Sequence, residues 1–232
     1  MFGIFKRNKI KFTQYFPDQK PGERIHNVVS EYIRPFLEQS GFKMLKSELT
    51  FKKKLDKFEQ EIHFSKSRHN RANEMVRFDI GFIVTSNYYK KWTKETYGEK
   101  WAENSILASN ANYIPNWDKK VLKSISWYDL ATDDNSVIVD IVNYNIQNNG
   151  LQFLNNLSDF EVAIDYIMGM ERFARTPMLM DFCEIVNNRE KAKEVLNWFE
   201  NFKERNNKEF SEETLSQVDL RKKRLKTGYN NR

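Results

Sequence analysis

The 232-residue sequence holds one cysteine, three histidines, five prolines and eight glycines. A lone thiol, Cys183, excludes an intrachain disulfide, and one cysteine is too few for a structural zinc site. Such usage fits a reducing cytoplasm. The scarcity of glycine and proline excludes a collagen-like or low-complexity chain. The glycines are scattered, so there is no Gly-rich phosphate cradle, and no Gly-x-Ser-x-Gly elbow occurs. His26, His63 and His69 have no helical zinc spacing. Long apolar runs are missing as well: no stretch approaches the ~18 residues of a membrane span. Residues 1–5 are apolar and precede Lys6 and Arg7, the reverse of a secretory signal. The expectation is a cytoplasmic chain with no cofactor, no bound metal and no membrane span.

Positive charge is absent from one long stretch. Overall, 38 Lys and Arg against 32 Asp and Glu give +6, a balance that suggests nucleic acid. The excess lies at the ends. Residues 1–11 carry Lys6, Arg7, Lys9 and Lys11 without an acid, and 221–232 carry Arg221, Lys222, Lys223, Arg224, Lys226 and Arg232 without one. The rest has 28 basic and 32 acidic residues. Within it, 41–77 is basic, while 124–171 contains no Lys or Arg and eight acids. An acidic stretch repels phosphate backbones and attracts basic protein surfaces. Asp129, Asp133, Asp134, Asp140, Asp159 and Glu161 are therefore the candidate partner-binding residues.

What is present is strong periodicity. Ile25, Val28, Val29, Tyr32, Ile33, Phe36 and Leu37 form one apolar stripe, predicting a helix over 22–40 that Pro35 kinks or restarts and Gly41 ends. Period-2 runs around Phe51, around Phe58–Ile62–Phe64, and over 76–84 predict strands with one buried side. A short helix is expected over 88–97, and further strands over 106–114 and 125–130. Residues 134–147 fit either a helix or a strand. Ser158 and Glu161 form a capping-box pattern, and Thr176-Pro177 marks another helix start. Residues 177–206 predict a helical hairpin. A last helix, flanked by Phe210 and Leu215, ends in the basic 221–224 run, which is expected to project into solvent.

The fold expectation is α+β: an antiparallel sheet of about four to six strands packed against helices, then a C-terminal helical hairpin and a basic tail helix. The organisation expected is a basic arm over 1–21, an α+β domain over 22–172 and a helical extension over 173–232. The run Arg34-Pro35-Phe36-Leu37, Gly41-Phe42, Ile62-His63-Phe64-Ser65-Lys66-Ser67 and Arg77-Phe78-Asp79-Ile80-Gly81-Phe82 resembles the bacterial domain-of-unknown-function family numbered 4304. Residues 150–154 and 158–167 resemble its tail. The resemblance covers about residues 25–170. It implies an α+β domain without an established activity, in the setting of bacterial defence loci, as an immunity protein or accessory factor.

Three functional expectations follow. The first is a non-enzymatic interaction protein that binds a protein partner through a polar sheet face or the acidic 124–171 segment. The second is a metal-dependent nuclease or hydrolase. Its candidates are Glu59, Glu61 and Asp79, carboxylates of the type that holds magnesium, with Lys66 beside them. The third is a nucleic-acid-binding subunit. Tyr88, Lys90, Lys91 and Trp92 interleave aromatics with lysines, as a stacking surface does, and Arg221, Lys222, Lys223 and Arg224 supply further charge. Cys183 lies on an apolar stripe and is expected to be buried and inert.

Overall fold

A computed structural model of the chain describes residues 12–45, 49–72, 74–123, 126–206 and 210–227. Lys6, Arg7, Lys9 and Lys11 of the expected arm, Ile125 of an expected strand, and Arg232 lie outside them. The fold is α+β, and the chain divides into two compact units, Met1–Leu154 and Asn155–Arg232.

In the first unit, the stripe over 22–40 forms α1 (Pro21–Val28), a π-helical turn (Val29–Ile33) and α2 (Arg34–Gln39). Pro35 explains the change of pitch. It has no N–H, and its ring crowds the carbonyl four residues back. The wider turn just ahead of it relieves this, with the Arg34 N–H donating to the Val29 carbonyl. α2 closes in a Schellman turn. Phe42 N–H donates to Leu37 O and Gly41 N–H to Glu38 O, both at 3.0 Å. Gly41 has φ 88°, where a side chain would be strained.

The sheet follows from the period-2 runs. β1 (Lys43–Met44), β2 (Thr50–Lys54), β3 (Glu59–Lys66), β4 (Arg77–Thr85) and β5 (Ser105–Asn110) pair antiparallel in chain order. α3 (Asn87–Tyr97) connects β4 to β5, and β6 (Tyr128–Asp129) pairs with the start of β4. Two expected strands are shorter than their apolar content suggested. The 106–114 run leaves the sheet at Asn110 for a 3-10 turn, and that over 125–130 joins β4 at Tyr128 and Asp129, beside an isolated bridge from Trp127 to Lys123. The ambiguous 134–147 stretch is helical. α4 (Asn135–Asn145) starts where Asp134 accepts the Ser136 N–H, and a second π turn (Ile146–Gly150) leads into α5 (Leu151–Leu157).

Strand parity sorts the side chains. Phe51, Ile62, Phe64, Phe78, Ile80 and Phe82 face one side and are buried. Phe82 meets Trp117 at 5.5 Å and Phe153 of α5 at 6.3 Å, so this is the side the helices cover. Each such side chain contributes roughly 1.5–3 kcal/mol by leaving water. Arg24 of α1, also buried, donates to Tyr15 O, Gln14 Oε1, Leu130 O and Asn135 Oδ1. It ties the segment before α1 to the start of α4.

The second unit is helical: α6 (Phe160–Gly169), α7 (Thr176–Ile185), α8 (Arg189–Asn206) and α9 (Glu212–Thr227). α7 is central. Residues 176–183 are all buried, and α6, α8 and α9 pack against it. The cap of α6 is Asp159, whose Oδ1 accepts the Glu161 and Val162 N–H groups. The carboxylate one residue after Ser158 takes that role, since an ionised acceptor at a helix start also meets the helix dipole.

The expectation that 221–224 projects into solvent is corrected. Arg221 is 6% exposed and makes a two-bond fork with Asp181 of α7, at 2.8 and 2.6 Å. Arg224 pairs with Glu184 and Lys222 with Glu200. The stripe of α9 is Val218, Arg221, Leu225, all buried. Its middle member is an arginine, so the helix reads as polar although it is docked.

Candidate functional site

The side of the sheet away from the helices carries Lys52 of β2, Glu59, Glu61, His63 and Ser65 of β3, and Asp79, Gly81, Ile83 and Thr85 of β4. Register places Glu61 opposite Ile83, His63 opposite Gly81 and Ser65 opposite Asp79. Asn110 and Ala108 of β5 extend the row. Lys52, Glu59, Glu61 and His63 are half-buried.

One lysine joins the two glutamates of this face. Lys52 Nζ lies 2.8 Å from Glu59 and 3.1 Å from Glu61. Its hydrogen bond to Glu59 is the main cause of a raised lysine pKa, so it stays charged. His63 lies flat over Gly81. A Cβ at Gly81 would stand 2.1 Å from the imidazole, so only glycine leaves room for the ring. Burial pulls the His63 pKa down against the opposing pull of Glu61, keeping the ring neutral near pH 7.

Asp79 is 7% exposed. Burial pushes its carboxyl up to about 6, although the Ile80 N–H and the Ser126 hydroxyl both donate to it. The Asn110 amide donates to its other oxygen at 2.8 Å. A carboxyl that titrates near neutrality is a trait of acid–base catalysts, but the described groups that bond to it, Ile80, Ser126 and Asn110, are neutral donors.

The structure does not assemble the four candidate nuclease residues. Glu59, Glu61 and Asp79 share a face as the alternation predicts. Asp79, however, pairs four positions along the ladder from Glu61, about 13 Å at ~3.3 Å per residue. That is beyond the reach of metals ~4 Å apart. Lys66 pairs with Phe78, so it belongs to the helix-covered side, and its ammonium reaches Gly22 of α1. Lys66 and Glu61 both line a groove of about 460 Å³, which His26, Thr50, His63 and Ser65 also line. No three His, Cys, Asp or Glu side chains among the described residues could hold a metal ion.

The acidic candidates scatter. Asp129 is 0% exposed and structural: it accepts the Val76 and Ala131 N–H groups and pairs with Arg77 at 2.9 Å. A partner cannot reach it. Asp133 pairs with Lys123, Asp134 caps α4, and Asp159 caps α6. Asp140 and Glu161 are exposed. Of the aromatic–basic candidates, Tyr88, Lys90 and Lys91 are exposed, and Lys57 lies over the Tyr88 ring at 5.0 Å. Trp92 is half-buried between Tyr89 and Tyr97, so its ring is already packed. Lys223 is exposed, whereas Arg221, Lys222 and Arg224 are engaged as described. Cys183 is buried, and burial pushes its thiol up to about 12, which leaves it protonated and unreactive.

Sequence reasoning missed two buried charges. Arg24 stands four residues before Val28 on the apolar stripe of α1, and Asp181 interrupts the apolar run 177–183 of α7. In both cases the signal was a charge on an apolar face, which needs a buried partner.

No protein-family model matches the chain, and neither any curated protein nor any solved structure matches it. No helix among the described residues is long and apolar enough to cross a membrane.

Proposed function

We propose that the chain is a non-enzymatic bacterial interaction protein of the cytoplasm that docks a protein partner on the open face of its sheet. The observation that carries this reading is the composition of that face. Lys52, Glu59, Glu61 and His63 lie on the β2–β3 side of the aliphatic Ile83, with Ala108 on its other side, and Lys52 pairs with both glutamates without the groups converging on a reactive centre. Aliphatic residues flanked by charge suit protein recognition, where the charges steer encounter and the apolar contact supplies affinity. The resemblance to the 4304 family, resting on the quoted motifs alone, adds the role of an immunity or defence accessory factor.

The test uses full-length wild-type chain and Ile83→Glu as baits in a lysate of the native host, compared by quantitative mass spectrometry. A protein retained by wild type and lost with Ile83→Glu is the expected result. Identical retained sets overturn docking on this face. Magnesium- or manganese-dependent cleavage of DNA or RNA that disappears in Asp79→Asn overturns the non-enzymatic reading.

A further inference from the structure

α4 is apolar on two sides. Ile138, Val142 and Asn145 are buried towards the core of the first unit. A second stripe, Val137, Ile141 and Tyr144, recurs at i, i+4 and i+7. Val137 is 44% and Tyr144 59% exposed, and Ile141 is half-buried. The outward side of a surface helix is ordinarily polar, so an apolar stripe there, left uncovered by the described residues, is a contact surface.

Its surroundings identify the occupant. The Asn143 amide donates to Tyr32 O, fixing α4 to the π turn before α2. Tyr32 stacks on Tyr15 with centroids 4.2 Å apart and planes 10° apart. Phe16 adds a third ring at 6.4 Å from Tyr32. Asp140 lies within the α4 stripe and is exposed, and Asp134 stands at its start. Both carboxylates act on the Tyr15 phenol: its pKa is raised by burial first, then by Tyr32, Asp140 and Asp134. No Lys or Arg occurs from 124 to 171, so no basic residue of that stretch offsets the acids.

We propose that this surface of Val137, Ile141 and Tyr144, with Asp140 and the Tyr15–Tyr32 pair beside it, receives a basic amphipathic helix of a protein partner. The apolar side chains of that helix cover the α4 stripe. Its lysines and arginines meet Asp140 and the faces of the tyrosines, since a cation over an aromatic ring is attracted by the ring's electron density. The surface uses no residue of the sheet face and stands or falls separately from docking there.

The experiment titrates full-length chain with a fluorescent 14-residue leucine–lysine helical peptide and with its leucine–glutamate counterpart, read by anisotropy. Wild type is expected to bind the basic peptide and not the acidic one. Val137→Asp and Tyr144→Glu are expected to weaken binding at least tenfold, while Ile83→Glu leaves it unchanged. Asp140→Lys, an exposed substitution that keeps the stripe and the fold, is expected to reverse the preference towards the acidic peptide. Equal binding of both peptides overturns the proposal, as does unchanged affinity in Val137→Asp and Tyr144→Glu variants with wild-type circular dichroism. Self-association in sedimentation that Tyr144→Glu abolishes overturns it too, because the occupant is then a second copy.

Discussion

Two basic stretches, 41–77 and 221–227, look alike as sequence and end differently. In the first, Lys52 remains at the surface, half-buried between Glu59 and Glu61. In the second, Arg221 is taken inside and held by Asp181, which is itself 0% exposed. The difference is one of solvation. A surface pair exchanges water for a partner at little net gain. A buried pair has already lost its water, so removing either member strands the other. Charge count cannot distinguish the two; position on a stripe facing a packed helix can.

The strongest way to break this comparison is Asp181→Ala. It leaves Arg221 buried without its carboxylate and should cost about 3–5 kcal/mol, read as a lowered urea midpoint. A loss below ~1 kcal/mol would put the Arg221 pair in the same class as Lys52.

Next comes Asp79, a buried carboxyl with no cation paired to it among the described residues. Its folded pKa of about 6 lies above the ordinary value of 3.8, so the folded chain holds the proton more tightly than the unfolded chain. The stability this contributes is present below about pH 4 and lost as pH rises through 6. Asp79→Asn, always neutral, should gain up to about 3 kcal/mol over wild type at pH 8 and should flatten the pH dependence between 4 and 7. A variant equally stable at pH 4 and less stable at pH 8 would show that the ionised form is the one the fold favours.

Smaller effects sharpen the gradient. Glu184→Gln loosens its ion pair with Arg224, which is 31% exposed, and should cost about 1 kcal/mol by denaturant titration. Lys52→Ala should shift stability by no more than about 0.5 kcal/mol, and less at high salt. If Lys52→Ala costs as much as Glu184→Gln, the degree of burial is not what ranks these pairs.

Much of the fold was legible from period alone. The stripe of α1 and α2, the three central strands and the 177–206 hairpin each show a repeat that matches one secondary structure. Strand parity also put Glu59, Glu61 and Asp79 on one face. Parity says nothing about distance along the ladder, and only the pairing of Glu61 with Ile83 and of Ser65 with Asp79 separates those carboxylates. In the same way, 124–171 reads as one acidic surface, yet Asp129 turns inward to Arg77, and Asp134 and Asp159 are spent on helix caps. Each of those partners lies outside the local pattern or in the backbone itself.

By itself, the sequence determined where the strongly periodic helices and strands form, which side of each is apolar, and that positive charge is missing from 124–171, while 134–147 stayed open between helix and strand. Those are local properties, set by side-chain spacing against a fixed helical or strand period. The tertiary structure alone decided which charges remain available. Asp181 and Arg221 are 40 residues apart in the chain and Arg77 and Asp129 are 52 apart. Coulomb attraction and desolvation depend on distance and burial in space, and spacing along the chain encodes neither.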